Sequence, residues 1–154
     1  MQIYHEKQQT YLIFYLILFI EIPVMLLIIG WGLERREYGP SIFIAIILGA
    51  MIFVLANFFH MHIRVFSDRL WVNFGLFGKT VKFSGIQEVA IEPYEFKKYL
   101  GWGIRYSIRD KSQGWVTRSG RGILIKTKNH KLFLSTENPE RLAELIQSGM
   151  ARSK

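Results

Sequence analysis

Two long apolar runs occupy most of the chain up to His60. The first, residues 11–30, contains a single ionisable side chain, Glu21, and the second, residues 41–59, contains no charged side chain. At a rise of 1.5 Å per residue, about 19 residues make roughly 28 Å of helix, which is the thickness of a bilayer's hydrocarbon core. The intervening GWGLERREYGP is short, charged and rich in turn-forming residues. We therefore predict a hairpin of two transmembrane helices, over residues 11–30 and 41–60.

The hydrophobic pattern changes after residue 60. Apolar and polar residues alternate on both sides of Ser67-Asp68-Arg69, which predicts a β-hairpin. Similar patterns predict further strands at 78–84, 86–93, 102–108, 115–118, 123–127 and 131–135. The sequence therefore predicts a domain of about seven antiparallel strands over residues 61–154, preceded by an N-terminal segment and the two spans in residues 1–60.

The last element has the pattern of a helix. Asn138 is a residue type that caps helices, and Pro139 fits the first helical position, where its missing N–H is not needed. Leu142, Leu145 and Ile146 would fall on one face, and Gly149 is a common stop signal. We predict a helix over about residues 138–148 that covers an open end of the sheet.

The chain is basic, and the charge is unevenly distributed. The formal net charge is +8, and all but three of the 20 lysines and arginines follow residue 60, together with eight of the 12 acids. A basic excess suits anionic partners, and a tethered domain makes a membrane surface the nearest of them. The chain has no cysteine, which excludes disulfides and thiolate chemistry.

Basic residues near the span ends predict the orientation in the membrane. The turn between the spans has Arg35 and Arg36, each beside a glutamate. The opposite side has a larger set, namely Lys7, Arg64 and Arg69, with Lys79 and Lys82 beyond them. The balance favours a multi-pass protein of the cytoplasmic membrane with both termini and the domain in the cytoplasm.

Glu21 lies near the middle of the first span, two residues before Pro23. An ionised carboxylate there costs about 2.5–3.5 kcal/mol on insertion scales. One interpretation is a proton or ion site, and another is a protonated glutamate that bonds across helices beside a proline kink. Counting from the turn places Glu21 opposite residues 49–51, which offer no charged partner. We predict an intramembrane polar contact at a helix–helix interface, within an oligomer or with a partner.

Two motifs in the second half resemble a known family. They are YLGWGIR at residues 99–105 and GILIKTKNHKLFL at residues 122–134, the latter followed by STENPERLAELI. Together with the element order, they resemble the bacterial PH-domain (pleckstrin-homology-like) membrane proteins, over residues 61–147. The resemblance implies a PH-like antiparallel barrel capped by a helix, behind a two-helix membrane anchor, and a scaffold without a shared catalytic activity. The turn at residues 67–69 lacks the basic cluster with which phosphoinositide-binding PH domains grip phosphate.

Several residues are candidates for a binding surface. Trp102, between two glycines, either plugs one end of the barrel, lies at the bilayer interface or belongs to a binding surface. Basic residues either are merely solvated or contact anionic headgroups, at about 1 kcal/mol each. The candidate surface consists of Trp102, Arg105, Lys79, Lys97, Lys98, Lys126 and Lys128.

Other chemistries have weaker patterns. His60 and His62 could share a strand face on the same side as His5, but no cysteine or carboxylate joins them in sequence, so we expect no metal. Gly101-Trp102-Gly103 lacks the third glycine of a nucleotide-binding loop, and no cofactor is expected. No nucleophile and base share a telling spacing, and no nucleic-acid module is recognisable. We expect neither an enzyme nor a nucleic-acid-binding protein.

These patterns leave three functions open. The first is a membrane-anchored binding module that presents a basic barrel to a protein partner, either another membrane protein or a second copy, at the cytoplasmic membrane face. The second is binding of anionic lipid headgroups or lipid handling, with membrane lipids as the partner. The third, which has the least support, is a small membrane enzyme.

Overall fold

The computed structural model describes residues 2–10, 13–108 and 110–153, with side chains of the first helix described from residue 18. The described chain forms nine β-strands and four α-helices. The strands are β1 (Gln2–Gln9), β2 (His60–Phe66), β3 (Arg69–Phe74), β4 (Phe77–Lys82), β5 (Ile86–Pro93), β6 (Gly103–Ser107), β7 (Ser112–Val116), β8 (Arg121–Thr127) and β9 (Lys131–Ser135). The helices are α1 (Ile13–Glu34), α2 (Tyr38–Phe58), α3 (Phe96–Tyr99) and α4 (Pro139–Arg152).

The strands form two sheets. The first has the order β1-β2-β3-β4 and is antiparallel throughout. The second has the order β5-β8-β9-β7-β6, in which β7 and β9 run parallel. A sheet-rich domain with a C-terminal helix is therefore confirmed. The structure differs from the prediction in having nine strands, one parallel pair and, among the described residues, no strand pairing that joins the two sheets into a closed barrel.

The inward faces of the two sheets share one hydrophobic core. Alternate residues of a strand point to opposite faces, so each strand sends every second side chain inward. Phe74 of β3 stacks on Trp115 of β7, with ring centroids 5.7 Å apart. Leu142 and Ile146 of α4 are fully buried against the same core. Burial of each large apolar side chain stabilises the fold by about 1.5–3 kcal/mol. Other members are Met61, Ile63, Val65, Leu70, Val72, Ile123, Ile125, Leu132 and Leu134.

Helix α4 begins where the sequence predicts and ends later. The backbone N–H of Leu142 donates to the carbonyl of Asn138 at 3.0 Å, while the Asn138 side chain makes no capping bond. The prediction that Gly149 ends the helix is wrong, because α4 continues to Arg152. Gly149 is buried against the ring of Phe83, which leaves no room for a side chain. Glycine at this position therefore allows α4 to pack closely against Phe83.

The two long helices follow each other across a short turn. Helices α1 and α2 correspond to the predicted spans at residues 11–30 and 41–60. The first two residues of the first predicted span lie outside the described chain. The helical conformation extends further into the predicted turn, and only residues 35–37 separate the helices. Within the described residues, one helix, Tyr38–Phe58, has the length and apolar composition of a membrane span. The two-span hairpin therefore stays a prediction.

Strand β1 precedes both helices in sequence, yet it pairs with β2, which follows them. Gln9 pairs with His60, and the Thr10 N–H donates to the carbonyl of Phe59 at 3.2 Å. Residues 2–9 thus belong to the strand domain, which the sequence placed at residues 61–154. β1 precedes α1, and β2 follows α2. Because β1 and β2 are neighbours, the start of α1 and the end of α2 lie at the same end of the helix pair, and the two helices are antiparallel.

A buried polar network joins β1 to the second sheet. The Glu6 carboxylate accepts hydrogen bonds from Tyr4 Oη at 2.7 Å, from Thr136 Oγ1 at 2.7 Å and from the Glu137 N–H at 2.8 Å. Gln8 Nε2 donates to Glu6 Oε1 at 2.5 Å and to the carbonyl of Ser135 at 2.9 Å. Burial raises the pKa of Tyr4, and its bond to Glu6 acts in the same direction. The network attaches the edge strand to the far sheet through polar contacts, while Tyr4 also packs against the hydrophobic core.

Thr117 completes the network from the other side. Its hydroxyl donates to Gln8 Oε1, and its backbone N–H donates to Ser135 Oγ at 2.9 Å. Gln8 thus bonds three residues, two of which are more than a hundred positions away in sequence, and Glu6 bonds four, of which two are equally distant.

We expect Gln8→Leu to lower the free energy of unfolding by about 2–3 kcal/mol, because it leaves buried partners without hydrogen bonds. Chemical denaturation of the detergent-solubilised chain, followed by tryptophan fluorescence, measures the change. Gln9→Leu is the matched control, since Gln9 is the exposed neighbour, and it should change stability by about 0.5 kcal/mol or less. Equal effects of the two substitutions would show that the network does not stabilise the fold.

Candidate functional site at the junction of helices and strands

The C-terminal end of α2 is held by hydrogen bonds to Thr10 and to the β3–β4 turn. Thr10 Oγ1 donates to the carbonyl of Phe58 at 2.5 Å, across the gap between β1 and the end of α2. Asn57 Oδ1 accepts a hydrogen bond from the Leu76 N–H at 3.0 Å, and Asn57 Nδ2 donates to the carbonyl of Phe53 at 2.8 Å. The bond to Leu76 fixes α2 against the turn between β3 and β4, and the bond to Phe53 orients the Asn57 side chain within the helix.

The β3–β4 turn approaches α2 closely enough to require a glycine. Gly75 has a positive φ of 49°, and a Cβ there would lie 2.8 Å from the Cα of Asn57. Phe77 stacks on Phe58 with ring centroids 5.7 Å apart. Leu76 at the tip is 77% exposed. An apolar turn therefore projects beside the base of the helices.

The second sheet reaches the same junction through β6. An apolar cleft of about 260 Å³, here named the junction cleft, lies between the helices and the start of β6. Its walls are Leu18, Val54, Leu55, Phe58, Phe59, Trp102, Gly103 and Ile104, with Thr10 and Arg105 as its polar members. A Cβ at Gly103 would lie 3.6 Å from the ring of Phe58. Such a distance is ordinary van der Waals contact, so the positive φ of 89°, and not the approach to Phe58, favours glycine at this position.

The segment around Trp102 has an unusual backbone, which local hydrogen bonds hold. Gly101 and Gly103 have φ values of 125° and 89°, and Leu100 is left-handed at 54°. Tyr94 Oη donates to the carbonyl of Gly101 at 2.6 Å, and the Gly101 N–H donates back to Tyr94 Oη at 3.2 Å. Burial raises the pKa of Tyr94. These contacts place Trp102 in the wall of the junction cleft, consistent with a location at one end of the domain.

Arg105 brings a positive charge to the rim of the junction cleft. Its Nε donates to the carbonyl of Trp102 at 2.8 Å, which orients the guanidinium beside the glycine segment. The residue is exposed, and no carboxylate of the described residues forms an ion pair with it. Arg105 and Trp102, both predicted for a binding surface, therefore lie together at one site.

The predicted lysines do not join them in one surface. Lys79 points between the sheets and donates to Gln113 Oε1 at 2.5 Å, and burial lowers its pKa. Lys126 pairs with Glu88 at 2.8 Å on neighbouring strands. Lys128 is exposed in the β8–β9 turn, at the end of the sheet away from Ser135 and Gln8, and Lys97 is exposed on α3. The candidate basic surface is thus dispersed.

Lys98 has a structural partner of its own. It forms an ion pair with Asp110 at 2.7 Å, and Ser112 Oγ donates to the same carboxylate at 2.7 Å. Burial opposes ionisation of Asp110, but the hydrogen bonds from Lys98 and Ser112 outweigh it and hold its pKa well below the usual value. This pair ties α3 to the β6–β7 turn.

Glu21 lies in a groove between the two long helices. The interhelical groove, of about 550 Å³, has Glu21, Ile47, Ala50 and Met51 at one end and Leu18, Val54 and Leu55 at the other. Glu21 thus faces the region of α2 that counting from the turn predicts. The side chain is exposed, and no hydrogen bond or ion pair to another described residue satisfies its carboxylate.

Three histidines lie on the outer face of the first sheet near the helix bases. His5 Nε2 and His62 Nδ1 are 3.1 Å apart, and the two rings stack with centroids 5.4 Å apart. Burial lowers the pKa of His60 and of His62, and Lys7 and other basic neighbours act in the same direction. No group of three or more His, Cys, Asp or Glu side chains in the described chain is arranged to hold a metal ion.

The junction residues that the sequence did not single out are polar ones. Glu6 and Gln8 are buried at 7% and 2% exposure, and Asn57 at 8%. All three types are usually exposed, so composition predicts a solvated segment. The buried residues Glu6 and Gln8 follow Tyr4 at every second position, as in a strand. The residues between them are polar too, so the sequence shows no alternation of apolar and polar residues that would predict a strand.

We expect the chain to lose stability as the pH falls below about 6.5. Because the folded state lowers the pKa of His60 and His62, the unfolded chain binds more protons in this range, and acid favours unfolding. The melting temperature at pH 5.5 should be below that at pH 7.5, and the difference should shrink in a His60→Gln/His62→Gln variant. His130→Gln, at an exposed turn, is the control and should keep it. An unchanged difference in the double variant would refute this origin.

Comparisons with protein-family models, with curated proteins and with solved structures found no match to this chain. The resemblance to the bacterial PH-domain membrane proteins therefore stays a prediction that rests on two short motifs and on the order of the elements. A function has to be inferred from the geometry of the junction itself.

Proposed function

We propose that this chain is a membrane-anchored binding module. Its two long helices form a transmembrane hairpin that holds a PH-like strand domain against the cytoplasmic face and presents it to a protein partner. The observation that carries the proposal is the connection of both helices to neighbouring paired strands, through Gln9–His60 and Thr10–Phe59. Such a connection requires both helix ends to lie on one side of the bilayer.

The exterior of the helices supports the membrane assignment. Large apolar side chains are exposed along both of them, at 81% for Phe19, 74% for Leu27, 65% for Phe43 and 64% for Ile46. A helix that is apolar all round needs cover from lipid or protein. With 22 and 21 residues, α1 and α2 have lengths of roughly 33 and 31 Å, which fits a hydrocarbon core of about 30 Å.

The charges near the helix ends support a cytoplasmic domain. Lys7 and Arg118 line one cleft together with Thr10, the residue that precedes the first helix. Arg105 lines a second cleft that also contains Thr10, so all three basic side chains lie near the same end of the helices. The opposite end has Arg35 and Arg36, each adjacent to a glutamate. Positively charged residues favour the cytoplasmic side.

The layer arrangement supports a PH-like assignment. Two sheets pack face to face, and the apolar stripe of α4 covers their core. The strand added by residues 2–9 and the parallel β7–β9 pair depart from the predicted seven-stranded antiparallel barrel. Both departures lie next to the junction: β1 precedes α1, and β7 is followed by Thr117, whose hydroxyl donates to Gln8.

We expect the full chain, extracted from its native membrane in mild detergent, to migrate as a complex well above its own 18.1 kDa. The control replaces residues 11–58 with Asn-Gly, which forms the two-residue hairpin turn that the Thr10–Phe59 hydrogen bond accommodates. This variant should be soluble without detergent, fold cooperatively and migrate as a monomer. A full chain that is released from membranes by alkaline carbonate, or that runs as a monomer in several mild detergents, would contradict the proposal.

A second candidate function is the binding of anionic lipid headgroups. An open polar cleft of about 500 Å³ lies at the helix bases beside β1, and Lys7, Gln9, Thr10 and Arg118 are among its members. Arg118 is already paired with Glu137 at 2.6 Å, so Lys7 is the basic side chain that supplies uncompensated charge. At a bilayer surface this cleft would lie at the depth of the phosphates.

If lipid headgroups bind there, anionic lipid should raise the melting temperature of the chain in nanodiscs relative to zwitterionic lipid. Lys7→Gln should reduce the increase by roughly 4–8 °C, which corresponds to about 1 kcal/mol for a small domain. Lys128→Gln is the control, because Lys128 lies at the far end of the second sheet, and it should leave the increase intact. No dependence on lipid charge would exclude this second function.

A further inference from the structure

The junction cleft and the interhelical groove form one continuous channel along the outside of the molecule. Leu18, Val54 and Leu55 belong to both of them. The channel therefore runs from Glu21 along α1 and α2 to Arg105 at the strand domain. Its walls between these two ends are apolar. Glu21 is the ionisable side chain that lines the groove, and Arg105 is the one that lines the junction cleft.

The distance between the two charged ends fits a transmembrane geometry. Along α2, the channel extends from Phe58 in the junction cleft to Ile47 at the Glu21 end, a separation of 11 residues or about three turns of helix. Three turns rise roughly 16 Å, which is half the thickness of the hydrocarbon core. In the anchored protein Glu21 would consequently lie at the bilayer midplane and Arg105 at the interface.

Neither Glu21 nor Arg105 forms an ion pair with another residue of the described chain. The Glu21 carboxylate faces Ile47, Ala50 and Met51, none of which can donate a hydrogen bond from its side chain. Arg105 Nε donates a hydrogen bond to the carbonyl of Trp102. The terminal NH₂ groups of the guanidinium can donate to another acceptor. Ionisable residues inside a membrane almost always pair with another group, so Glu21 at the midplane requires a hydrogen-bond donor or a cation.

The shape of the groove suits a helix as its occupant. Ala50 lies in the groove between the larger side chains of Ile47 and Val54. Small residues let the backbones of membrane helices approach closely. An acyl chain would leave Glu21 without a hydrogen-bond donor, and a second copy packed in parallel would place another glutamate there. Both alternatives fit the two charged ends less well.

We propose that this channel binds one transmembrane helix of a partner protein. The partner helix carries a hydrogen-bond donor or a cation at the level of Glu21 and an acidic residue about three helical turns away, at the level of Arg105. A separation close to a whole number of turns places both groups on one face of the partner helix. The inference deepens the proposed function and rests on its membrane anchor, because it names the segment of the partner that is bound.

Site-specific photo-crosslinking in native membranes tests the proposal, and the chain has no cysteine of its own to interfere. Val54→Cys carries the probe in the channel, and Phe53→Cys carries it one position away, where the side chain is equally exposed but lines neither cleft nor groove. We expect at least about ten times more adduct with one protein from position 54. The cross-linked peptide should belong to a transmembrane helix with a donor and an acid about three turns apart.

Charge variants decide whether the two ends recognise the partner. In the Val54→Cys background, Glu21→Leu should reduce the adduct about tenfold, while Glu21→Gln, which still forms hydrogen bonds, should keep most of it. Arg105→Glu should also reduce the adduct, and replacing the partner's acidic residue with lysine should restore it. Equal melting temperatures of the variants in detergent show that the reductions do not arise from misfolding.

Four results would overturn the inference: adducts to lipid alone, adducts only to a second copy, equal adducts from positions 53 and 54, or no effect of Glu21→Leu. The same membranes, washed with alkaline carbonate, separate this failure from failure of the proposed function. A chain that stays in the washed membrane without a protein adduct at position 54 retains its anchor and loses only the partner helix. A chain that is washed out loses both.

Discussion

The pairing of β1 with β2 is the interaction on which the arrangement of the whole molecule depends. It joins strands on either side of a long segment that is almost entirely helical, and it continues to the last hydrogen bond, between Thr10 and Phe59, before the helices begin. Neighbouring strands are about 4.8 Å apart, whereas packed helices have axes about 8–10 Å apart. The helices must therefore diverge from the strands at their bases. The wedge that results is where the junction cleft opens.

Each sheet contributes a different kind of contact to this junction. The first sheet holds α2 with polar bonds, through Asn57 at the β3–β4 turn and through Thr10. The second sheet approaches with apolar surface, where Gly103 and Trp102 lie against Phe58. Gln8 and Glu6 link the two sheets behind these contacts. Movement of α2 relative to the domain would disturb contacts with both sheets at once.

The elements that the sequence predicts well are those whose hydrophobic pattern is local. The long helices follow from their continuous apolar runs, α4 from its helical periodicity, and strands such as β5 and β9 from their short apolar patterns. Strand β1 escapes prediction because its inward residues Glu6 and Gln8 are polar, and their partners lie at the other end of the chain. Strand β7 is missed in its first half because Gln113 and Gly114 resemble a turn, while in the fold Gln113 bonds Lys79 and Gly114 makes room for the ring of Tyr99.

The candidate site is predictable only in part, for the same reason. Trp102, Arg105 and Glu21 stand out in sequence as a tryptophan between glycines, a nearby cation and an acid within an apolar run, but their alignment along one channel depends on how the helices meet β6. Lys98 and Lys126 look equally basic in sequence, and their charges are compensated by Asp110 and Glu88, which belong to other elements of the fold. Net charge therefore overestimates the basic surface that this domain presents.

The position of β1 ahead of the helices also affects the order in which the protein is made. β1 is synthesised before both helices and its partner strand after them, so the β1–β2 pairing cannot form until both helices have been made. In free solution, closing so long a loop is entropically costly, and the cost rises with loop length. A hairpin inserted in a bilayer returns its two ends to the same place and removes most of that cost. Under the proposed membrane anchor, insertion would act as the step that starts folding of the domain, and a chain that fails to insert would leave β1 unpaired.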